Sequence, residues 1–151
     1  MSGDYVLILG CNTLERNVLT GMLQSEGYRV FDTDSAQAAR KIARKFPVDA
    51  VLVDRGFRAY EFLAFLAHIQ ARHPQVARVL MTHEPQSPEA LRAMGLGHAH
   101  TLLLKPITQS ELLFGLARAL TKARVHPKPP AQGDDLFPWV RFFNRLQPGR
   151  A

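Results

Sequence analysis

The sequence predicts an α/β domain, a doubly wound parallel sheet of five strands with five helices on its two faces and a short C-terminal extension. Two observations carry that expectation. Apolar runs of four to six residues alternate with longer amphipathic stretches, and glycine, proline or a helix-capping residue stands at the junctions. Strands that alternate with helices connect by right-handed crossovers, which place helices on both faces of the sheet.

Tyr5-Val-Leu-Ile-Leu9 ends at Gly10, too short for a helix and suited to a strand covered on both faces. From Thr13, the residues Leu14, Val18, Leu19, Met22 and Leu23 recur at spacings of three and four and predict one buried helix face ending near Gly27. Tyr28 to Phe31 reads as the second strand. Ser35 is a candidate N-cap, and Ala36, Ala39, Ile42, Ala43 and Phe46 form a helical stripe stopped before Pro47. Val48 to Val53 reads as the third strand, Tyr60 to Ile69 as a helix, and Ala77 to Met81 as the fourth strand. Ser87-Pro88-Glu89 opens a short helix that Gly95 and Gly97 end. Thr101 to Leu104 is the fifth strand. Thr108 and Glu111 have capping-box spacing, and Leu112, Leu113, Leu116 and Leu120 make the buried stripe of the last helix.

Open parallel sheets do their chemistry outside the C-terminal ends of the strands. Those ends present Gly10-Cys11-Asn12, then Asp54, then Thr82, then Lys105-Pro106. A strand-end carboxylate is a nucleophile for a phosphoryl group, a hydroxyl can donate to a phosphoryl oxygen, and an ammonium offsets the added charge. Over about residues 4 to 121 the chain resembles the CheY-like receiver domains of bacterial response regulators, which are flavodoxin-like in fold. The resemblance rests on Asp54 in Val-Leu-Val-Asp, Thr82 in Val-Leu-Met-Thr, and Lys105 in Leu-Leu-Leu-Lys-Pro. It implies that Asp54 is the nominal phosphoacceptor, with Thr82 and Lys105 contacting the phosphoryl group. It also implies a two-component phosphorelay, with a histidine kinase or another signalling protein as partner and a homodimer through the fourth helix, fifth strand and fifth helix.

The chain departs from the family at three places. Receivers carry two adjacent acids just after the first strand that hold Mg²⁺ with the phosphoacceptor, and here those positions are Gly10 and Cys11. Mg²⁺ requires carboxylate oxygens and waters, so Asp54 alone would hold it weakly, with Asn12 or Glu15 as the nearest substitutes. The segment after Asp54 lacks the family's Met-Pro. The aromatic residue three before the lysine is Leu102. The expectation is therefore an atypical receiver, not an enzyme and without a resident cofactor, that acts by protein contact. Arg55 reads as a solvated loop residue, with an anion contact or a pair to Asp54 as the alternatives.

Other chemistries have weaker support. Cys11 and Arg16 have four residues between them where a cysteine phosphatase needs five, and the thiol reads as buried and inert. His83, His98 and His100 lack a cysteine or carboxylate at ligand spacing and read as solvated loop residues. A flavodoxin-like enzyme or ligand-binding domain built on the same strand ends is the alternative function.

The net charge of +6 is uneven. Residues 1 to 120 hold 13 basic and 11 acidic side chains, whereas 121 to 151 hold 6 and 2. The expected organisation is a receiver-like domain over 1–121, a basic proline-rich linker over 122–133, and an aromatic, basic tail over 134–151. If helical, the tail places Trp139, Phe142, Phe143 and Leu146 on one face, yet it is too short to be stable unless it docks. Nucleic-acid binding through this tail is a third reading, and the tail is too short for a helix-turn-helix output domain. No apolar run reaches membrane-span length, and MSGDYVLILG lacks the parts of a secretory signal, so a cytoplasmic location is expected.

Overall fold

The computed structural model describes residues 4–56 and 61–125. Ten elements alternate along the chain: β1 (Tyr5–Leu9), α1 (Thr13–Gln24), β2 (Arg29–Thr33), α2 (Ala36–Lys45), β3 (Ala50–Asp54), α3 (Glu61–Arg72), β4 (Ala77–Thr82), α4 (Pro88–Gly95), β5 (Thr101–Leu104) and α5 (Gln109–Val125). The strands form one parallel sheet in the order β2-β1-β3-β4-β5. The order reverses between β1 and β3, which makes the cleft beyond their C-terminal ends the natural site.

Each central strand is apolar on both sides because both faces are covered. Leu7, Leu9, Val51, Val53 and Leu80 face one core with α2, α3 and α4. Val6, Ile8, Ala50, Leu52, Val79 and Met81 face the other, with α1 and α5.

Predicted caps form as local sequence dictates. The Ser35 and Ser87 side chains accept from the amides of Ala38 and Ala90, and Pro88 occupies the first turn of α4. At the start of α5, Thr108 Oγ1 accepts from Glu111 N while Glu111 Oε1 accepts from Thr108 N, a reciprocal capping box.

Several sequence expectations require correction. Leu14 and Val18 are exposed, Leu14 at 72%, so the buried row of α1 is Leu19 and Leu23. A single sequence does not reveal which side of a broad apolar stripe the sheet will cover. Tyr28 and Val48 are buried but precede their strands, since pairing begins where β1 can supply partners, at Arg29 and Ala50. The last helix runs to Val125, so residues 122–125, expected to begin the linker, are helical. Tyr60, Gly133 and the expected tail over 134–151 lie outside the described residues.

Candidate functional site

Asp54 is the last residue of β3 and is 5% exposed, in the cleft where the strand order reverses. Its Oδ1 accepts from the amide of Gly56 at 3.0 Å, which tightens the turn leaving the strand, and receives the ammonium of Lys105 at 2.9 Å. Lys105 follows β5, and the peptide joining it to Pro106 is cis. Thr82 ends β4 and is buried; its Oγ1 accepts from Glu84 N, and its carbonyl accepts from Lys105 N at 2.8 Å. The fold thus brings Asp54, Thr82 and Lys105 to one end of the sheet, with Asp54 and Lys105 in contact.

Glu15 also enters this site. Its Oε1 lies 2.9 Å from Lys105 Nζ, so one ammonium is shared between two carboxylates. Burial pushes the Lys105 ammonium down, but the hydrogen bonds and charges of Asp54 and Glu15 outweigh it and raise its pKa above the ordinary value. Arg16, one residue further along α1, donates to the Gly10 carbonyl at 2.6 Å and to Asp32 at 3.1 Å. A cation therefore stands beside Gly10, the first of the two positions where the resemblance implies acids. Sequence reasoning missed Arg16, because its partners are the end of β1 and a residue of β2, and nothing local marks that meeting.

The residues present do not fit Mg²⁺. Gly10 has no side chain, Cys11 is exposed and offers a soft thiol, and both Asp54 and Glu15 are engaged with Lys105. Among the described residues no group of three or more His, Cys, Asp or Glu side chains is arranged to hold a metal ion. Asn12 is the N-cap of α1, its Oδ1 accepting from Glu15 N, and so is committed elsewhere. The Gly10 position itself has room: a Cβ there would stand 3.4 Å from Asp54 Cβ, an ordinary contact.

Three further expectations are overturned. Arg55 is neither a free loop residue nor a partner of Asp54, since it pairs with Glu89 at 3.0 Å and approaches Glu84 at 3.8 Å. Cys11 is exposed instead of buried. His98 and His100 are not solvated loop residues: His98 Nδ1 meets Gln70 Oε1 at 2.6 Å, and His100 Nδ1 accepts from Arg78 N. A groove of about 330 Å³ beside Lys105 is lined by Leu14, Val18, Ile107 and neighbours, but by neither Asp54 nor Cys11.

Comparison with known proteins identifies the family. The family model of the response regulator receiver domain matches residues 6–116, and the chain belongs to that family. It is 29% identical over 121 residues to the putative response regulator NtrX-like of Rickettsia typhi, covering 79% of this chain and 25% of that protein. It is 27% identical over 122 residues to the sensory/regulatory protein RpfC of Xanthomonas campestris, covering 79% of this chain and 17% of that one. The chain thus spans a quarter or less of these curated relatives. Among solved structures, the CheY-like receiver domain protein from Methanospirillum hungatei superposes with a TM-score of 0.74 at 18% identity, covering 82% of this chain and 98% of that one. The class is therefore a two-component receiver domain on a flavodoxin-like fold. No helix among the described residues is long and apolar enough to cross a membrane.

Proposed function

We propose that this receiver domain is atypical, signalling through protein contact with little or no Mg²⁺-dependent phosphorylation of Asp54. The observation that carries the reading is the shared ammonium of Lys105, 2.9 Å from both Asp54 and Glu15. Ordinary phosphoryl transfer needs a divalent cation to neutralise charge at the acceptor. Among the described residues joined to Asp54 through these ion pairs, three carboxylates (Asp54, Glu15, Asp32) face two cations (Lys105, Arg16), and there is no acid pair. The partners in this reading are a histidine kinase or another signalling protein, the class with which receiver domains interact. The contact face is formed by α4, β5 and α5, where Leu91, Leu104 and Phe114 are exposed.

The test is incubation of the full chain with a small-molecule phosphoryl donor and Mg²⁺, followed by intact mass measurement. No gain of a phosphoryl group is expected, and Mg²⁺ alone should leave the spectrum of the protein unchanged. The double variant Gly10→Asp, Cys11→Asp rebuilds the acid pair in the available space and should acquire both Mg²⁺ binding and a phosphoryl adduct lost on Asp54→Asn. An adduct on the unaltered chain that disappears in Asp54→Asn would overturn the reading.

A further inference from the structure

At the opposite end of the sheet lies a cavity of about 570 Å³, lined by Gln70, Pro74, Arg78, Ala99, Thr121 and Lys122 among others. Arg78, the second residue of β4, is 4% exposed in a row of otherwise apolar side chains. Its Nε donates to the His98 carbonyl, Nη1 to those of Val76 and Pro74, and Nη2 to that of Gly97. Four of its five N–H groups are thereby used, and no carboxylate lies within ion-pair distance of it among the described residues. Burial lowers its pKa to about 10, still well above neutrality, so the cation stays charged, and no described residue supplies a counter-ion.

The rest of the lining is also rich in donors. His98 occupies Gln70 Oε1, which leaves the Gln70 amide NH₂ beside Gly97. Lys122 Nζ spends one N–H on the His100 carbonyl. Among the described residues no Asp or Glu lines the cavity, and Pro74 and Ala99 add apolar wall. Such a pocket suits a carboxylate attached to an apolar group.

We propose that its occupant is the chain's own segment Asp134-Asp135-Leu136-Phe137-Pro138-Trp139. These two acids are the only ones after Glu111. Helix α5 passes the cavity at Thr121 and Lys122 and ends at Val125, three residues beyond. Nine steps of chain from Val125 to Asp134 span up to about 30 Å when extended. The path back along less than one turn of helix is far shorter, so the segment reaches the cavity with slack. The proline-rich stretch before Gly133 limits the entropy lost on docking, and a short tether gives an effective concentration of about millimolar. A contact too weak to hold two separate molecules therefore suffices here. The pairing charges are Asp134 and Asp135 with Lys122 and Arg78, and the apolar residues lie against Pro74 and Ala99.

The test uses the full chain and Trp139, its one tryptophan. At low salt the emission of Trp139 should be blue-shifted and shielded from acrylamide. Two variants should each expose it, giving a red shift and stronger quenching: Lys122→Glu, at an exposed position, and the pair Asp134→Asn, Asp135→Asn, which changes only the proposed occupant. Combining Lys122→Glu with Asp134→Lys and Asp135→Lys should restore shielding. Circular dichroism should show the same fold throughout. Quenching of the unaltered chain equal to that of free tryptophan overturns the proposal, as does shielding that the Asn pair leaves intact. Shielding that vanishes on dilution would assign the pocket to a second copy and overturn docking within one chain.

Discussion

Lys105 is 8% exposed at the side chain and holds a buried carboxylate on one side and a half-exposed one on the other. Removing the ammonium leaves Asp54 charged and unpaired in a buried site, which typically costs about 3–5 kcal/mol. Removing the Asp54 charge leaves Lys105 still paired with Glu15, and the loss should be nearer about 1 kcal/mol. Lys105→Met should therefore lower the urea midpoint clearly more than Asp54→Asn, and equal losses would show that Glu15 does not share the cation. His98 gives a pH dependence: burial, then Arg78 and Arg92, lower its pKa below the usual value. A group so lowered binds fewer protons folded than unfolded, so its contribution is complete above about pH 6.5 and is lost as pH falls through the folded value. Denaturant midpoints should fall from pH 7.5 to 5, and His98→Asn should flatten that slope. Asp54, Thr82 and Lys105 could be singled out by their strand-end positions together with the family resemblance. Glu15 as a partner, Arg16 as a neighbour and Arg55 bound to Glu89 were not, since those pairs join elements whose approach no local pattern records.

At the scale of elements, two glycines of helices carry opposite expectations. A Cβ at Gly21 in α1 meets nothing within 4 Å, so Gly21→Ala should stabilise by about 0.5–1 kcal/mol through helix propensity and a less flexible unfolded chain. A Cβ at Gly115 in α5 would stand 2.5 Å from Leu103 Cδ2 and 3.3 Å from its Cγ. The helix lies close on β5 because that residue is glycine. The same propensity gain there is set against overpacking of about 1–3 kcal/mol, so Gly115→Ala should destabilise on balance. Thermal unfolding of the two variants reads both signs. Helix α1 shows why one apolar stripe was only half right: Leu14, Val18 and Met22 form one row and Leu19 and Leu23 another, and both satisfy helical spacing. Packing chose the second, leaving the first along the groove beside Lys105.

For the molecule as a whole, Leu91, Leu104 and Phe114 on α4, β5 and α5 are exposed, and the proposed contact face predicts that a second copy binds there. A stable interface needs about 800 Å² per partner. Sedimentation velocity should show concentration-dependent association that Leu104→Ser with Phe114→Ser abolishes, whereas a monomer at every concentration would limit this face to other partners. The charge follows the same division into regions: the excess of +4 over residues 121–151 leaves a nearly balanced domain ahead of it. The sequence by itself determined a doubly wound parallel sheet, because a repeating alternation of doubly covered strands and amphipathic helices admits few connections. Read with the resemblance, it also put Gly10 and Cys11, whose side chains offer no carboxylate oxygen, where the family carries its acids. Only the tertiary structure decided how the remaining charges are spent: Lys105 between Asp54 and Glu15, Arg16 across to β2, Arg55 on α4, and Arg78 buried with no carboxylate partner among the described residues. The physical reason is that secondary structure follows from periods along the chain, whereas charge pairing depends on ångström distances between residues up to 90 positions apart.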